Sequence, residues 1–326
     1  TIISCEKKER YEQQKNSIRT LLDTCHIKWI PVSYSKLPSI LSKQWNIVRI
    51  KNKAIAFCKE EHPQVVHCRS YMAALIGLFL KKKFGVKFIF DMRGFWADER
   101  IDGNIWSKTK YIHRKLYSYF KKKEIEFLQQ ADYTISLTAN AKQEILSWPR
   151  LKGQHIPIQV IPCCVDLELF SLKNIQEQHK KKLKETLDIS ENDFVLSYLG
   201  SIGTWYMLDE MLDFFSCVQQ QIENAKFLFI TPDHRDHILE KAKAKNIDPK
   251  NLIICSATRK EVPLYVSIST ISIYFIKPSY SKKASSPTKT AEILALGIPI
   301  ITNSGIGDST ELLEDSGAGL LISEFS

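Results

Sequence analysis

Short apolar runs alternate with longer segments of helical periodicity from one end of the chain to the other, the pattern of parallel sheets flanked by helices. In the first half the pattern predicts strands at Ile2–Cys5, Ile27–Val32, Val65–His67, Lys87–Asp91, Tyr133–Leu137 and Gln159–Pro162, with the longest helix from about Trp106 to Gln130. The second half repeats it, with strands at Phe194–Leu199, Phe227–Thr231, Leu252–Cys255, Ile271–Ile276, Pro299–Thr302 and Gly319–Ile322. The fold class is therefore α/β, with parallel sheets flanked by helices.

After Phe170 the chain turns polar, rich in Lys and Gln, until a fresh strand begins past Glu191. This places a first domain at 1–170, a linker region at 171–191 and a second domain at 192–326. A chain of 326 residues, 44% of them hydrophobic, suffices for two ordinary cores. No run of apolar residues is long enough to span a bilayer. The longest, Tyr71–Leu80, ends at Lys81-Lys82-Lys83 and reads as a buried helix with a basic end.

Candidate chemistry concentrates at strand ends, where open parallel sheets hold their ligands. Residues 285–301 open a short helix with Ser285-Ser286-Pro287-Thr288-Lys289 and close it with Gly297 before a buried strand. The free N–H groups and positive dipole end of such a helix suit a phosphate, Lys289 adds a full charge, and Glu292, one turn on, can accept two ribose hydroxyls. This suits a nucleotide sugar; an ordinary surface helix bounded by Pro287 and Gly297 is the plain alternative. Gly200-Ser201-Ile202-Gly203-Thr204 joins a strand to a helix, so its backbone can approach a diphosphate closely. His67, Arg69 and Ser70 follow one strand of the first half, and Asp91 and Arg93 follow the next. His67 is the candidate catalytic group there, against a structural histidine bonded to the neighbouring loop.

Five segments together resemble family 4 of the retaining glycosyltransferases: Val65–Ser70, Phe90–Arg100, Val160–Phe170, Leu199–Trp205 and Ser285–Ile301. They fall in the order that family requires and cover nearly the whole chain. The resemblance implies the GT-B fold, two Rossmann-like domains with parallel sheets facing across a cleft. It implies sugar transfer from a UDP- or GDP-linked donor to a hydroxyl acceptor, a lipid-linked or growing surface polysaccharide. Gly200, Ser201, Gly203, Thr204, Pro287, Thr288, Lys289 and Glu292 would bind the donor, and His67, Arg69, Asp91 and Arg93 would serve the reaction. No cofactor and no metal are expected, so Lys289 and helix N-termini would neutralise the leaving diphosphate.

There are departures. Family members commonly carry two glutamates eight positions apart; Glu292 matches the second, but the first position holds Ala284. Where many have Arg and Lys after the glycine loop to hold phosphates, this chain has Trp205, Tyr206 and Met207; Lys289 is the candidate to stand in for them, with Arg259 and Lys260 as further candidates. The resemblance also implies that the family's first strand and last helix lie outside the sequence. A nucleotide-sugar epimerase of related shape, or a binding protein whose transferase site has decayed, remain the alternatives.

Charge refines the picture. Residues 1–160 hold 29 Lys/Arg against 14 Asp/Glu, a net +15, whereas residues 161–326 hold 17 against 22, a net −5. Basic clusters at Lys81–Lys83 and from Lys108 to Lys123, interleaved with Trp106, Tyr111, Tyr117, Tyr119 and Phe120, suit an anionic membrane surface or a merely solvated face. Nucleic acid is disfavoured, because no recognition motif accompanies the charge. The eight cysteines form no C-x-x-C pair, which favours a reducing cytoplasm and packed thiols, Cys163-Cys164 included. A cytoplasmic protein, peripheral at the inner face of the cell membrane, is expected.

Overall fold

The computed structural model describes residues 1–35 and 40–325. All twelve strands expected from the sequence are present: β1 (Ile2–Glu6), β2 (Trp29–Ser33), β3 (Val65–Arg69), β4 (Lys87–Asp91), β5 (Tyr133–Ser136), β6 (Ile158–Val160), β7 (Phe194–Leu199), β8 (Ala225–Ile230), β9 (Leu252–Cys255), β10 (Ile271–Ile273), β11 (Ile300–Asn303) and β12 (Gly319–Ile322). The chain forms two compact units. One comprises Thr1–Met92, Ser118–Ile135 and Pro149–Gln159; the other comprises Arg93–Tyr117, Ser136–Trp148 and the described chain from Val160 onward.

The strands of the first half form two sheets, a parallel pair β1-β2 and a four-stranded sheet in the order β3-β4-β5-β6. Aromatic residues make the core of the first unit: Tyr71, Phe88, Phe90 and Phe127 are fully buried, with the Phe90 and Phe127 rings 5.2 Å apart. Tyr71 comes from the helix Ser70–Phe84, which has no exposed residue from Tyr71 to Leu80 and ends at Gly85 in the left-handed conformation. Gly77 of that helix must be glycine, because a Cβ would stand 2.4 Å from Cys68 Sγ and 2.7 Å from the Phe88 ring. The basic end is largely compensated. Lys81 pairs with Asp132 at 2.7 Å, and Lys82 with Glu126 at 2.7 Å.

The helix expected from about Trp106 starts late, and Ile40–Glu61 is longer than it. A short helix at Trp96–Asp102 ends at Gly103, and the main helix starts only at Tyr111. Between them Ser107 Oγ accepts from the Thr109 amide at 3.2 Å, a local bond that competes with helix formation.

The second unit contains one six-stranded sheet in the order β12-β11-β10-β7-β8-β9, parallel at every described pairing. Its strands are near-continuous apolar runs because helices cover both faces. Leu196, Tyr198, Phe227, Leu228 and Phe229 are all fully buried although successive residues point to opposite faces. The chain runs from β7 outward through β8 and β9, then crosses back to lay β10 on the other side of β7. The strand order therefore reverses between β7 and β10, and the crevice outside the strands' carboxyl ends at such a reversal is the place where these sheets bind ligands. The segments that follow the two strands pair with each other, Tyr206 forming an antiparallel bridge with Ile276.

Candidate functional site

In the second unit, the crevice beyond β7 and β10 is built around Lys289. The helix Thr288–Ala295 starts after Pro287, and no side chain caps its N-terminus. Lys289 and Glu292 are both buried although charged, an arrangement that costs stability unless each charge has a purpose or a partner. The Lys289 ammonium lies 3.8 Å from the Tyr206 ring centroid and 4.4 Å from that of Tyr198, with Tyr274 at 5.6 Å. It donates to the Tyr198 hydroxyl at 3.4 Å. Tyr198 belongs to β7 and Tyr274 follows β10, so the two strands of the switch point each contribute one wall of the cage. Cation–π contact partly replaces water around the ammonium, but burial pushes the Lys289 pKa down to about 7, with the Glu292 charge opposing the shift.

The glycine loop lies against the same ammonium. Gly200 takes φ +114°, a conformation that favours glycine, and a Cβ there would stand 3.1 Å from Lys289 Nζ, a tight approach. Part of the loop is already engaged. Asp233, from the loop after β8, accepts from Ser201 Oγ at 2.9 Å and from the Ile202 amide, while the Tyr198 hydroxyl donates to the Ser201 carbonyl at 2.7 Å. Space around Gly203 is open.

Glu292 pairs with Arg259, which the sequence offered only as a candidate phosphate-holding residue. Arg259 Nη1 is 2.5 Å from Glu292 Oε1, and the guanidinium lies 4.6 Å from the centroid of the Phe170 ring. Pro287, Thr288, Lys289 and Glu292 thus sit on one helix start, with Gly200 in contact with Lys289, and Ser201, Gly203 and Thr204 in the adjoining loop.

The loop after β4 also belongs to the second unit. Arg93 adopts φ +61°, a conformation a non-glycine residue holds only where its surroundings enforce it. Its Nη2 is 3.5 Å from Cys163 Sγ, and the Cys163 amide donates to Ser286 Oγ at 3.1 Å, joining Arg93 to the segment that leads into Lys289. The acidic run beyond it is scaffold. Asp98 accepts from the Tyr117 hydroxyl at 2.7 Å, Asp102 accepts from the Ser281 amide at 3.0 Å, and Glu99 pairs with Lys282 at 3.2 Å. Lys282 is itself buried, 3.7 Å from the Trp205 ring centroid.

In the first unit, the ends of β3 and β4 bring His67 and Asp91 together, Nε2 to Oδ2 at 3.5 Å. His67 is exposed while Asp91 is buried, and Asp91 Oδ1 has no hydrogen-bond partner among the described residues. A buried carboxylate behind an exposed imidazole can orient the ring. Arg69 ends β3 in register with Asp91, is exposed, and precedes Ser70 at φ +69°. Among the described residues no three His, Cys, Asp or Glu side chains are placed to hold a metal ion.

Tyr198, Tyr274 and Asp233 were not singled out from sequence. The tyrosines look like core residues in apolar runs, and Asp233 lies far along the chain from the loop it holds. Only Tyr206, beside the glycine loop, carried a signal.

Residues 1–169 match the family model described as Glycosyltransferase Family 4, and residues 179–326 match the model for Glycosyl transferases group 1. The chain belongs to glycosyltransferase family 4. It is an enzyme of glycosyl transfer, and its two α/β units with parallel sheets have the GT-B fold. No curated protein matches it. A glycosyltransferase from Rickettsia africae ESF-5 is similar in structure, with a TM-score of 0.67 at 14% identity over 99% of this chain and 84% of that one. HepE of Anabaena, solved in complex with UDP and glucose, gives 0.66 at 12% identity, over 94% and 76%. WaaG, a glycosyltransferase involved in lipopolysaccharide biosynthesis, gives 0.63 at 14%, over 91% and 74%. At these identities the likeness concerns the fold.

Proposed function

We propose that this glycosyltransferase moves a sugar, with retention of anomeric configuration, from a UDP- or GDP-linked donor to a hydroxyl of a lipid-linked or growing surface polysaccharide. Residues 192–326 bind the donor, residues 1–170 bind the acceptor, and 171–191 link them. The observation that carries the reading is Lys289. It is a buried ammonium at the sheet's switch point and at an uncapped helix start, beside a glycine loop and one turn from Glu292. A diphosphate would supply the anion the ammonium lacks, and Glu292 would accept from the ribose. Lys289 and the helix N-terminus then meet the charge that develops on the leaving diphosphate without a metal.

His67, held by Asp91, is the proposed catalytic group, with Arg69 and Arg93 as orienting charges. Two structural relatives, one solved in complex with UDP and glucose and one involved in lipopolysaccharide biosynthesis, support the donor and acceptor classes. The enzyme works at the cytoplasmic face of a membrane, where exposed Lys108, Lys110, Arg114 and Lys115 lie among exposed Ile105, Tyr111 and Ile112. No described helix is long and apolar enough to cross a membrane.

The test is donor turnover. A panel of UDP- and GDP-sugars is screened by thermal shift, where stabilisation follows ligand concentration over Kd, and the anomer released is then read by NMR. One nucleotide sugar should stabilise the protein and yield product of retained configuration, and His67→Ala should lose kcat by at least tenfold with donor affinity little changed. Inverted product, or an unchanged rate in His67→Ala at saturating substrates, contradicts the assignment.

A further inference from the structure

Glu292 is deeply buried, 7% exposed at its side chain, while its partner Arg259 is 55% exposed. Arg259 lies in the loop after β9 and is anchored twice, by the 2.5 Å contact of Nη1 with Glu292 Oε1 and by its guanidinium plane 4.6 Å from the buried Phe170 ring. A flexible surface arginine held at two points has little freedom left, so it holds its partner in turn. The ion pair is made through Oε1. A ribose offers two vicinal hydroxyl donors, and a carboxylate receives both only when it is fixed in one orientation. Removing the guanidinium would leave a buried carboxylate without its cation, free to turn toward Lys289 or solvent.

We propose that Arg259 is a positioning residue for donor recognition: by fixing the Glu292 carboxylate it sets the enzyme's preference for ribonucleotides over deoxyribonucleotides. This rests on the reading of Lys289 and Glu292 as the donor site. The acting group is Glu292; Arg259 works through it. A role confined to stability would lower the melting temperature without touching the ribose preference, which separates the two possibilities.

The probes are UDP and GDP with their 2′-deoxy and 3′-deoxy counterparts, titrated calorimetrically into the purified chain. The parent should bind the ribonucleotide at least tenfold more tightly than one of the deoxy forms. Arg259→Ala should shrink that ratio to within threefold and leave the affinity for the deoxy form nearly unchanged. Arg259→Lys, which keeps a charge but loses the planar fork, should fall between. Arg259→Gln takes the place of the alanine variant if that variant does not fold. A variant that keeps the parent's ratio overturns the inference alone. A parent that binds nucleoside diphosphates without distinguishing ribose from deoxyribose overturns the donor-site reading of Glu292 and this inference with it.

Discussion

Lys289 is held among three tyrosine rings and, among the described residues, has no ion pair to its ammonium. Its pKa in the folded chain is about 7, below the ordinary lysine value it regains on unfolding. From pH 7 to about 10.5 the unfolded chain therefore binds the extra proton and the folded chain does not, so this group makes stability rise with pH across that window. Below pH 7 both states are protonated and the full cost of burying the charge is present. Lys289→Met should accordingly be more stable than the parent at pH 6–7, and the gain should fade towards pH 10. Thermal unfolding of the two proteins across that range checks it. A gain that is flat with pH would mean that Lys289 is not the titrating group. The residue scale is also where sequence reading was least complete. Lys289 and Glu292 stood out because charges flank a helix start, whereas Tyr198, Tyr274 and Asp233 reach the site only through tertiary contact.

At the scale of elements much more was legible. Each strand was marked by its apolar run, and the structure places all twelve within a few residues of the expected bounds. The misses have local causes. β10 ends at Ile273 although the Tyr274 amide still donates to the Ile301 carbonyl at 3.0 Å; beyond it the Phe275 carbonyl accepts from the Met207 amide at 3.0 Å and the Ile276 amide donates to Asn303 Oδ1 at 2.8 Å, which draws the chain out of the ladder. The main basic helix starts late because Ser107 and Thr109 make their own turn. Pairing was not legible. Apolar runs announce strands but not their neighbours, so neither the separate β1-β2 pair nor the reversal between β10 and β7 could be read from periodicity. That reversal is what gives the Gly200 loop and Lys289 a common crevice.

For the whole molecule, the excess of positive charge in the first 160 residues is only partly open to a partner. Lys121 pairs with Glu124, and Lys123 and Lys82 share Glu126, so those lysines are largely compensated within the fold. The exposed set Lys108, Lys110, Arg114 and Lys115 is the better candidate for an anionic surface, each side chain being worth about 1 kcal/mol there. Changing all four to Gln should abolish co-sedimentation with vesicles rich in anionic lipid while leaving nucleotide binding intact, and raised salt should release the parent. Equal binding of the parent to neutral and anionic vesicles, or to neither, would leave these side chains as a solvated face.

The central claim, that Lys289 and Glu292 form the donor site, is tested most directly by the Kd for UDP and GDP in the parent, Lys289→Met and Glu292→Gln, measured by calorimetry at pH 7. Charged hydrogen bonds of the kind invoked are worth about 1.5–3 kcal/mol, so each variant should bind the preferred nucleotide at least tenfold more weakly than the parent. Affinities unchanged in both variants would contradict the account and put the donor elsewhere.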